Sequence, residues 1–343
     1  MRGTKLVRLV QITNGSVRRV ALVAEPHLAC LNGYSSVYDL AAACIRDGAL
    51  LSKRVRDPAS GELLSYEEVY SGESEWRLLS PIDVPGAPER LLVSGTGLTH
   101  LGSAKDRQEM HLQTATDANE PKTDSMRMFE WGLSGGRPTD GKPGTAPEWF
   151  YKGNGSVLQP PFAPLTVPAY AEDGGEEAEI AGIYMIAPDG KPHRIGMCAG
   201  NEFADHKFEQ RNYLNLAGSK LRQCSIGPEL VVGGDFRSVT GEVSIERNGE
   251  TVWKKAIETG EENMSHSLAN LEHHHFKFEA HRVPGHIHVH FFGAHSLSFG
   301  DGPALEDGDW MQVRFDGYGR ALRNRLRIEE KGREQLIRVR ALS

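Results

Sequence analysis

Two acidic residues have the spacing of a metal site. Glu177 and Glu179 stand two positions apart at the start of an apolar run, AEIAGIYMI, that predicts a β-strand. Side chains at alternate strand positions project from the same face, so the two carboxylates are expected within several ångströms of each other. A hard divalent cation such as Mg²⁺, Ca²⁺ or Mn²⁺ would relieve their repulsion. The alternative is an exposed edge strand that carries acidic residues, and spacing alone favours that alternative.

A third acid and a lysine form the next candidate pair. Glu202 follows a predicted turn and opens a helix in GNEFADHKFEQRN, and Lys220 lies 18 residues further on, just before a Gly-Pro turn. An acid at a helix N-terminus is stabilised by the helix dipole, and a lysine is usually solvated. The sequence alone therefore does not require the two groups to meet.

Histidines supply two further candidates. His100 follows a predicted strand in LLVSGTGLTHLGSAKD, where it could act as a general base or as a neutral hydrogen-bonding group. His286, His288 and His290 alternate along PGHIHVHFFG and are expected to share one face of a strand. A cupin-like metal site would need a glutamate shortly after the second histidine, and none stands there. We therefore expect a histidine-rich interior or interface near the functional site.

Composition excludes several classes of protein. The chain has 343 residues, a formal net charge of −7 and 39% hydrophobic residues, enough for two domains or one large domain. Without a polybasic run, an anionic chain is not expected to bind nucleic acid. The apolar runs are short and broken by charges, so we expect neither a membrane span nor a signal peptide. GxSxG, Walker and HExxH motifs do not occur, and GTG near His100 does not complete a dinucleotide fingerprint.

The four cysteines indicate the compartment. They are scattered along the chain without a CxxC pair, so a disulfide framework or a zinc site is not expected. They are Cys30, Cys44, Cys198 and Cys224. Thiols of this kind are typical of a reducing environment, and we expect the protein to be cytoplasmic.

The elements that must position these residues fall into two predicted domains. Residues 1–88 are expected to form a small α+β domain, with a hairpin around Asn14-Gly15 and a helix in SSVYDLAAACIRDGALL. The proline-rich stretch SPIDVPGAPERLLVSG marks the boundary. Residues 89–343 then predict a β-rich domain with helices in EFADHKFEQRNYLNLAGSK and SLANLEHHHFKFEA. Between them, WGLSGGRPTDGKPGTAPEWFYKG is expected to be a long ordered loop or lid.

In chain order these segments resemble the fumarylacetoacetate hydrolase superfamily over residues 90–326. The matching segments are His100, PEWFYKG, Glu177-x-Glu179, Asn201-Glu202, Lys220 with IGPELVVG, FFGAHSLSFGDG, LEDGDW and GYGRALRN. The sugar-acid branch is most similar, because QRNYLNLAGSKLRQCSIGPEL resembles the lysine segment of 2-keto-3-deoxypentonate dehydratases. GTGLTHLGSA and SHSLANLEHHHFKF resemble a bacterial group associated with arabinose catabolism.

The resemblance implies a fold and a set of ligands. The fold would be α+β, a small N-terminal domain beside a β-rich catalytic domain built as a mixed β-sandwich or roll. The metal ligands would be Glu177, Glu179 and Glu202 around Mg²⁺, with Mn²⁺ or Ca²⁺ as alternatives. Glu202 departs from the family pattern, which has an aspartate there. A second departure replaces Gly-Thr with Gly-Ala, so that the hydroxyl offered to the substrate would come from elsewhere, with Ser296 as the candidate, or would be absent.

The resemblance also implies a reaction on a 2-keto acid. A dehydratase would remove a proton from carbon 3 of a 2-keto-3-deoxypentonate and expel the hydroxyl of carbon 4, giving 2-oxoglutarate semialdehyde. Lys220 would stabilise the enolate, or act as the base if its pKa is lowered; His100 would serve the departing hydroxyl, and Lys152 would help to bind the substrate. The alternatives are a hydrolase of acylpyruvates or 2,4-diketo acids, and a non-catalytic sugar-acid binding protein. Family members are commonly homodimers, and no nucleic-acid or membrane partner is expected.

Overall fold

The first structured element is the hairpin that the sequence predicted. The computed structural model of the protein describes residues 6–55, 61–102, 104, 124–332 and 336–342. Strands β1, Val7–Thr13, and β2, Arg18–Ala24, pair antiparallel around the Asn14-Gly15 turn, where Gly15 has a φ of 90°. Glycine adopts this left-handed conformation without a steric penalty, which explains its place in the turn.

Strands are the more abundant regular element of the described chain. After β1 and β2 they are β3 His27–Cys30, β4 Leu63–Ser65, β5 Arg77–Leu78, β6 Leu91–Gly97, β7 Glu148–Asn154, β8 Leu158–Gln159, β9 Leu165–Val167, β10 Ala178–Ile186, β11 Pro192–Asn201, β12 Cys224–Ile226, β13 Leu230–Val232, β14 Val239–Arg247, β15 Glu250–Thr259, β16 Ile287–Phe291, β17 Trp310–Phe315 and β18 Leu322–Ile328.

The helices are shorter and lie between the strands. They are α1 Val37–Arg46, α2 Leu51–Arg54, α3 Tyr66–Ser71, α4 Asp124–Gly135, α5 His206–Arg211, α6 Leu216–Lys220, α7 Leu268–Phe276 and α8 Ser298–Asp301. The predicted helix near residue 40 is α1, which begins at the N-cap Ser36, whose side chain accepts a hydrogen bond from the Asp39 amide. None of the helices in the described ranges is long and apolar enough to cross a membrane.

Two sheets organise the strands. The larger sheet runs β4-β3-β2-β1-β13-β11-β10-β16-β6-β7, and the smaller runs β15-β14-β17-β18-β9. The larger sheet crosses the predicted boundary after residue 88, because β1 pairs with β13. The N-terminal strands therefore extend the same sheet that carries the candidate site, and the division into two domains stays a prediction.

Each face of the larger sheet has its own core. On one face, Ala181 of β10 and Val289 of β16 pack in a buried cluster with Leu40 of α1. On the other face, Tyr184 of β10 packs in a second cluster with Val313 of the smaller sheet. The molecule thus has three layers, with α1 on one side of the larger sheet and the smaller sheet on the other.

The predicted long loop before residue 153 is only partly a loop. Its first residues, including Trp131, end helix α4, and EWFYKGN forms strand β7. The physical reason is packing: Glu148, Phe150 and Lys152 alternate into the interior along β7, a period of two that is typical of a strand. The glycine- and proline-rich loop is confined to residues 136–147.

Candidate metal centre and active site

Three buried glutamates meet at one end of the larger sheet. Glu177 directly precedes β10, Glu179 lies within it, and Glu202 follows β11, its antiparallel neighbour. The Glu202 amide donates to the Glu177 carbonyl at 2.9 Å, which holds the two strand ends together. One carboxylate oxygen from each residue lies within 4.8 Å of the others. The three residues are at most 7% exposed, so the alternative of an exposed acidic edge strand is wrong.

Neighbouring backbone and side-chain groups fix the orientation of these carboxylates. The Glu177 amide donates to Asn201 Oδ1 at 3.2 Å, and the Gly293 amide donates to Glu179 Oε2 at 2.7 Å. Gly293 follows β16, the neighbour of β10 on the side opposite β11, and it has a φ of 103°. Three adjacent strands therefore contribute to the position of the glutamates.

Two buried lysines balance the three acids. Lys220 Nζ donates to Glu177 Oε1 at 2.5 Å and to Glu202 Oε2 at 2.6 Å. Lys152 Nζ donates to Glu202 Oε1 at 2.5 Å and to the carbonyls of Phe203 and Lys220 at 2.7 and 3.1 Å. An ammonium has three hydrogens, so these contacts occupy the hydrogen-bonding capacity of Lys152. In this arrangement Lys152 is the counter-ion of Glu202.

Phe150 completes the surroundings of Lys220. The Lys220 ammonium lies 4.9 Å from the centre of the Phe150 ring, within the range of a cation–π contact. Phe150 shares the inward face of β7 with Lys152 and Glu148, and Glu148 accepts a hydrogen bond from the Tyr213 hydroxyl at 2.9 Å. One face of β7 thus borders the site with an acid, an aromatic ring and an amine.

Burial and mutual charge shift the pKa values of these groups. Burial, together with the neighbouring carboxylates of Glu177 and Glu202, raises the pKa of Glu179 well above its ordinary value. The same two causes, burial and the charge of Glu177, raise the pKa of Glu202 to about 7. For Glu177 the opposing effect of burial is outweighed by the charges of Lys220 and His206, and its pKa lies well below the ordinary value. One acid is thus held ionised while the other two resist ionisation without a further cation.

Lys220 is held in its charged form. Burial opposes the ammonium, but the charges of Glu177 and Glu202 outweigh burial and raise the pKa of Lys220 well above its ordinary value. The sequence-based suggestion that Lys220 acts as a base required a lowered pKa. Electrostatic stabilisation is therefore the role that this geometry supports.

The donor set fits a hard divalent cation. Three carboxylates converge, and oxygen ligands are those that Mg²⁺, Mn²⁺ and Ca²⁺ prefer. The ammonium of Lys220 already lies between two of them, so the space between Glu177 and Glu202 accommodates a positive group. With all three acids ionised, the three acids and two lysines carry one net negative charge, and a divalent cation would make the site positive enough to bind an anionic substrate.

The other two predicted site residues, His100 and Ser296, are also buried. His100 is buried, with Nδ1 2.9 Å from Thr99 Oγ1 and Nε2 2.9 Å from Thr259 Oγ1. Burial lowers the pKa of His100 to about 3, so the ring is neutral at pH 7. Ser296 is buried between Gly293 and α8. The catalytic role of His100 and the substrate contact of Ser296 stay predictions.

One supporting residue was missed from the sequence. His206, the first residue of α5, places Nε2 at 3.0 Å from Glu177 Oε1. In the sequence it is a single histidine among the polar residues of a predicted helix, without a motif of its own. Its proximity to Glu177 arises only when α5 folds back against β10, which the local pattern does not encode.

The alternating histidines form a separate cluster. His288 and His290 share a face of β16, as predicted, whereas His286 precedes the strand. The centre of the His275 ring lies 4.4 Å from that of His290, 4.7 Å from that of His281 and 5.0 Å from that of His288. His275 Nε2 and His288 Nδ1 are 2.9 Å apart. The predicted histidine-rich interior is therefore confirmed.

The register of the strands places this cluster behind the metal centre. His290 pairs with Ser94 of β6, and Ser94 pairs with Tyr151 of β7, so these residues share one face of the sheet. Phe291, Gly95 and Phe150 form the neighbouring row and point to the other face. Lys152 follows the same alternation as Phe150. The histidine cluster and the glutamate site thus lie on opposite faces of one sheet.

Comparisons with known proteins agree at the level of the fold. No family model matches the sequence, and no curated protein is significantly similar to it. A solved structure of 2-keto-3-deoxy-D-arabinonate dehydratase, complexed with magnesium and 2,5-dioxopentanoate, superimposes with a TM-score of 0.68 and 16% identity over 94% of this chain and 100% of that chain. The fumarylacetoacetate hydrolase of the psychrophile Exiguobacterium antarcticum gives 0.60 and 18%, with the same coverage. This chain has the fold of fumarylacetoacetate hydrolase.

Proteins with other named activities share that fold. A 2-hydroxyhepta-2,4-diene-1,7-dioate isomerase from Mycobacterium marinum superimposes with a TM-score of 0.56 and 16% identity, covering 94% of this chain and 99% of that chain. The α+β fold predicted from the resemblance is confirmed. The named neighbours include a dehydratase, a hydrolase and an isomerase, so the fold by itself does not select a reaction.

Proposed function

We propose that the protein belongs to the sugar-acid branch of the fumarylacetoacetate hydrolase superfamily and dehydrates a 2-keto-3-deoxypentonate, such as 2-keto-3-deoxyarabonate. The product would be 2-oxoglutarate semialdehyde, and the reaction would belong to cytoplasmic pentose catabolism, as in the use of arabinose. The buried convergence of Glu177, Glu179 and Glu202 with Lys220 is the observation that carries the proposal. A dehydratase with this fold supports it, because 2,5-dioxopentanoate, named in its complex, is the same compound as 2-oxoglutarate semialdehyde.

The three glutamates would hold Mg²⁺. A bound Mg²⁺ polarises a 2-keto-carboxylate and so acidifies the protons on carbon 3. Gly293 holds Glu179 through its amide, and Asn201 holds the backbone of Glu177, so the ligands are oriented before a cation arrives. Preorganised ligands lose little conformational entropy when the cation binds.

Lys220 would stabilise the negative charge that develops on the substrate. Its ammonium is buried 2.5 Å from Glu177 and 2.6 Å from Glu202, and it is charged at neutral pH. A fixed positive charge in a water-poor site stabilises an enolate or carboxylate far more than the same charge does in water. Lys152 neutralises Glu202 from the other side, which leaves Lys220 available to an incoming anion.

The reaction needs no oxidant or reductant. A proton leaves carbon 3 and the hydroxyl of carbon 4 departs with a proton as water, which leaves a double bond between carbons 3 and 4. A proton then moves from carbon 5 to carbon 3, which gives an enol at carbons 4 and 5, and transfer of the enol hydroxyl proton to carbon 4 gives the aldehyde. The net change is the loss of one water molecule. His100 is our candidate for the proton that accompanies the hydroxyl, since a buried neutral imidazole can both donate and accept. Ser296 is proposed to contact the substrate when it binds, and so is Lys152, which would exchange one of its three present hydrogen bonds for that contact.

Two other functions would use the same residues. A hydrolase of acylpyruvates or 2,4-diketo acids would pass through the same enolate, with His100 activating water. A sugar-acid sensor would bind the keto acid and release it unchanged. We also propose that the protein acts as a homodimer, without nucleic-acid or membrane partners.

An assay with two substrates in parallel distinguishes these functions. Chelator-treated protein receives MgCl₂ and either 2-keto-3-deoxyarabonate or an acylpyruvate, and both semialdehyde and pyruvate are measured. We expect semialdehyde from the sugar acid, no pyruvate from the acylpyruvate, and loss of activity when the chelator remains. Pyruvate formation would instead establish the hydrolase. If calorimetry shows that the sugar acid binds and no product forms, the protein is the sensor.

A further inference from the structure

His206 is built into the structure at a defined position beside one glutamate. The residue is 6% exposed, and its Nε2 lies 3.0 Å from Glu177 Oε1. Since an ionised carboxylate only accepts hydrogen bonds, Nε2 must carry the hydrogen. Lys220 Nζ donates to the same oxygen at 2.5 Å. Glu177 is thus held by two donors, one on α5 and one on α6.

The turn before His206 fixes where its ring can lie. Asp205, the N-cap of α5, accepts hydrogen bonds from the backbone amides of Phe208, Glu172 and Asp173 at 3.0–3.2 Å. The Asp205 carboxylate also accepts a hydrogen bond from Arg222 at 3.1 Å. These contacts tie the start of α5 to the segment that leads into Glu177.

Two neighbouring residues, Phe299 and Gly175, restrict the position of the His206 ring. The centre of the Phe299 ring of α8 lies 5.2 Å from that of His206, at an interplanar angle of 39°. Gly175 approaches on another side, where a Cβ atom would lie 2.9 Å from His206 Nδ1 and Cε1. The glycine is therefore required for the ring to occupy this place.

We infer that His206 is a positioning residue that fixes the carboxylate of Glu177 for cation binding. This inference depends on the metal site of the proposed function. Its physical basis is the different freedom of the two donors. Lys220 ends a long flexible side chain that an incoming cation or substrate can displace, whereas the His206 ring is held by α5, Phe299 and Gly175. When Lys220 moves, His206 keeps Glu177 in place.

The surroundings make this inference accessible to mutation. A cavity of about 330 Å³ lies against His206 and is bordered by Phe299, Ser298 and Lys207. Replacement of the ring therefore extends an existing cavity, and it does not remove part of a continuous core. Folded variants are expected for this reason.

The experiment measures Mn²⁺ affinity by electron paramagnetic resonance, without substrate. Gln can place its amide nitrogen where His206 has Nε2, whereas Leu has a similar size but no donor. Loss of an outer hydrogen bond to a ligand typically weakens metal binding about 10- to 100-fold. We expect a Kd increase of that size in His206→Leu and a Kd within about threefold of wild type in His206→Gln. Lys207→Met is the matched control, because it changes a side chain that borders the same cavity and leaves the His206 ring in place; its Kd should stay within about threefold of wild type.

The outcomes separate this inference from the proposed function. A wild-type Kd in folded His206→Leu would overturn the inference, and so would equal losses in His206→Gln and His206→Leu. Glu177→Gln tests the site itself: if that variant binds Mn²⁺ as wild type does, the ligand assignment and with it the proposed function are wrong. If His206→Leu fails to fold by circular dichroism, His206→Asn takes its place, since its shorter amide stays polar but loses the contact.

Discussion

The two faces of the larger sheet bury polar side chains in opposite ways. At the glutamate site, two of the three buried carboxylates, those of Glu177 and Glu202, lie 2.5–2.6 Å from ammonium groups. On the opposite face, the rings of His275, His281, His288 and His290 pack against one another with ring centres 4.4–5.6 Å apart. The same strand contributes side chains to both regions, since Phe150 and Trp149 of β7 point to different faces of the sheet.

The difference decides which region can bind a charged ligand. Burial, together with the charges of neighbouring histidines, lowers the pKa of His288 and of His290 to about 3, so these rings are neutral. His288 Nδ1 lies 2.9 Å from His275 Nε2, and His290 Nδ1 lies 2.8 Å from Ser94 Oγ. At the glutamate site burial is opposed by charge, so ionised groups persist in the interior. A compensated charged cluster can exchange one cation for another, whereas neutral imidazoles offer no negative charge to a hard cation such as Mg²⁺.

Removal of a ligand should have the largest effect on the charged face. We expect Glu177→Gln or Glu179→Gln to abolish Mg²⁺-dependent activity while the circular dichroism spectrum stays that of wild type. The reason is that an amide is a neutral and weak ligand for Mg²⁺ compared with a carboxylate. Activity at saturating MgCl₂ and Mn²⁺ binding are the measurements.

A neighbouring acid provides the matched control for that prediction. Glu176 is as buried as the ligands, but its oxygens accept hydrogen bonds from the amide and hydroxyl of Ser298, both at 2.7 Å. Glu176→Gln can keep contacts of this kind and should keep Mn²⁺ affinity. Full activity in either ligand variant would refute the ligand assignment, and an equal loss in Glu176→Gln would mean that any buried acid in this segment is required for folding.

Removal of the central lysine should separate cation binding from turnover. We expect Lys220→Met to retain Mn²⁺ binding and to lose turnover about a thousandfold, because a preorganised charge that stabilises a developing anion is worth about that much. Without metal, Glu177 and Glu202 lose a buried partner, so the metal-free variant should also be about 3–5 kcal/mol less stable. MgCl₂ should therefore raise its melting temperature more than that of wild type.

A surface lysine is the control for this second prediction. Lys254 pairs with Glu242 at 2.6 Å on the exposed side of β15, and Lys254→Met should change neither rate nor stability noticeably. A turnover rate near wild type in Lys220→Met would show that the stabilising charge comes from another group.

Local patterns predicted the elements better than they predicted the contacts between them. The hairpin at Gly15, helix α1 and strand β10 each have a short-range signal, such as a turn glycine, an N-cap or an apolar run. Glu177 and Glu179 were predictable as a pair for the same reason. The wrong part was the loop before residue 153, where aromatic residues that form strand β7 lie next to glycines and prolines that form the loop.

Contacts between residues that lie far apart in the sequence could not be predicted from local sequence patterns. Glu202 and Lys220 meet only because β11 and α6 both end beside β10, and spacing alone gave no reason to expect it. His206 had no motif at all. The resemblance to a family placed the first two at one site because it carries information on three-dimensional position that composition and periodicity lack.

The neutral face should make the protein sensitive to acid. Burial holds the pKa of His275 far below the ordinary 6.5 and the pKa values of His288 and His290 at about 3. The unfolded chain therefore binds protons below pH 6.5 that the folded chain excludes. The contribution of each neutral histidine to the free energy of unfolding is fully present above pH 6.5. It falls by about 1.4 kcal/mol per pH unit as the pH is lowered from 6.5 toward 3.

Replacement of one histidine should measure its contribution to this acid-dependent loss of stability. We expect His288→Gln to reduce the dependence of the free energy of unfolding on pH by about 1.4 kcal/mol per pH unit between pH 6 and 4. Urea denaturation at several pH values gives this slope. If the slope is unchanged, His288 does not titrate in the way that its burial indicates.

The smallest expected effect tests whether the two faces are independent. Trp149 Nε1 donates to His275 Nδ1 at 3.2 Å, and the ring projects from β7 away from the face that carries Lys152. Trp149→Phe keeps an aromatic ring but loses the donor, so it should cost about 1 kcal/mol of stability and leave kcat and Mn²⁺ affinity unchanged. Thermal denaturation and steady-state kinetics are the measurements. A clear fall in kcat with normal stability would mean that β7 transmits changes between its faces, and the histidine cluster would then be part of the site's support.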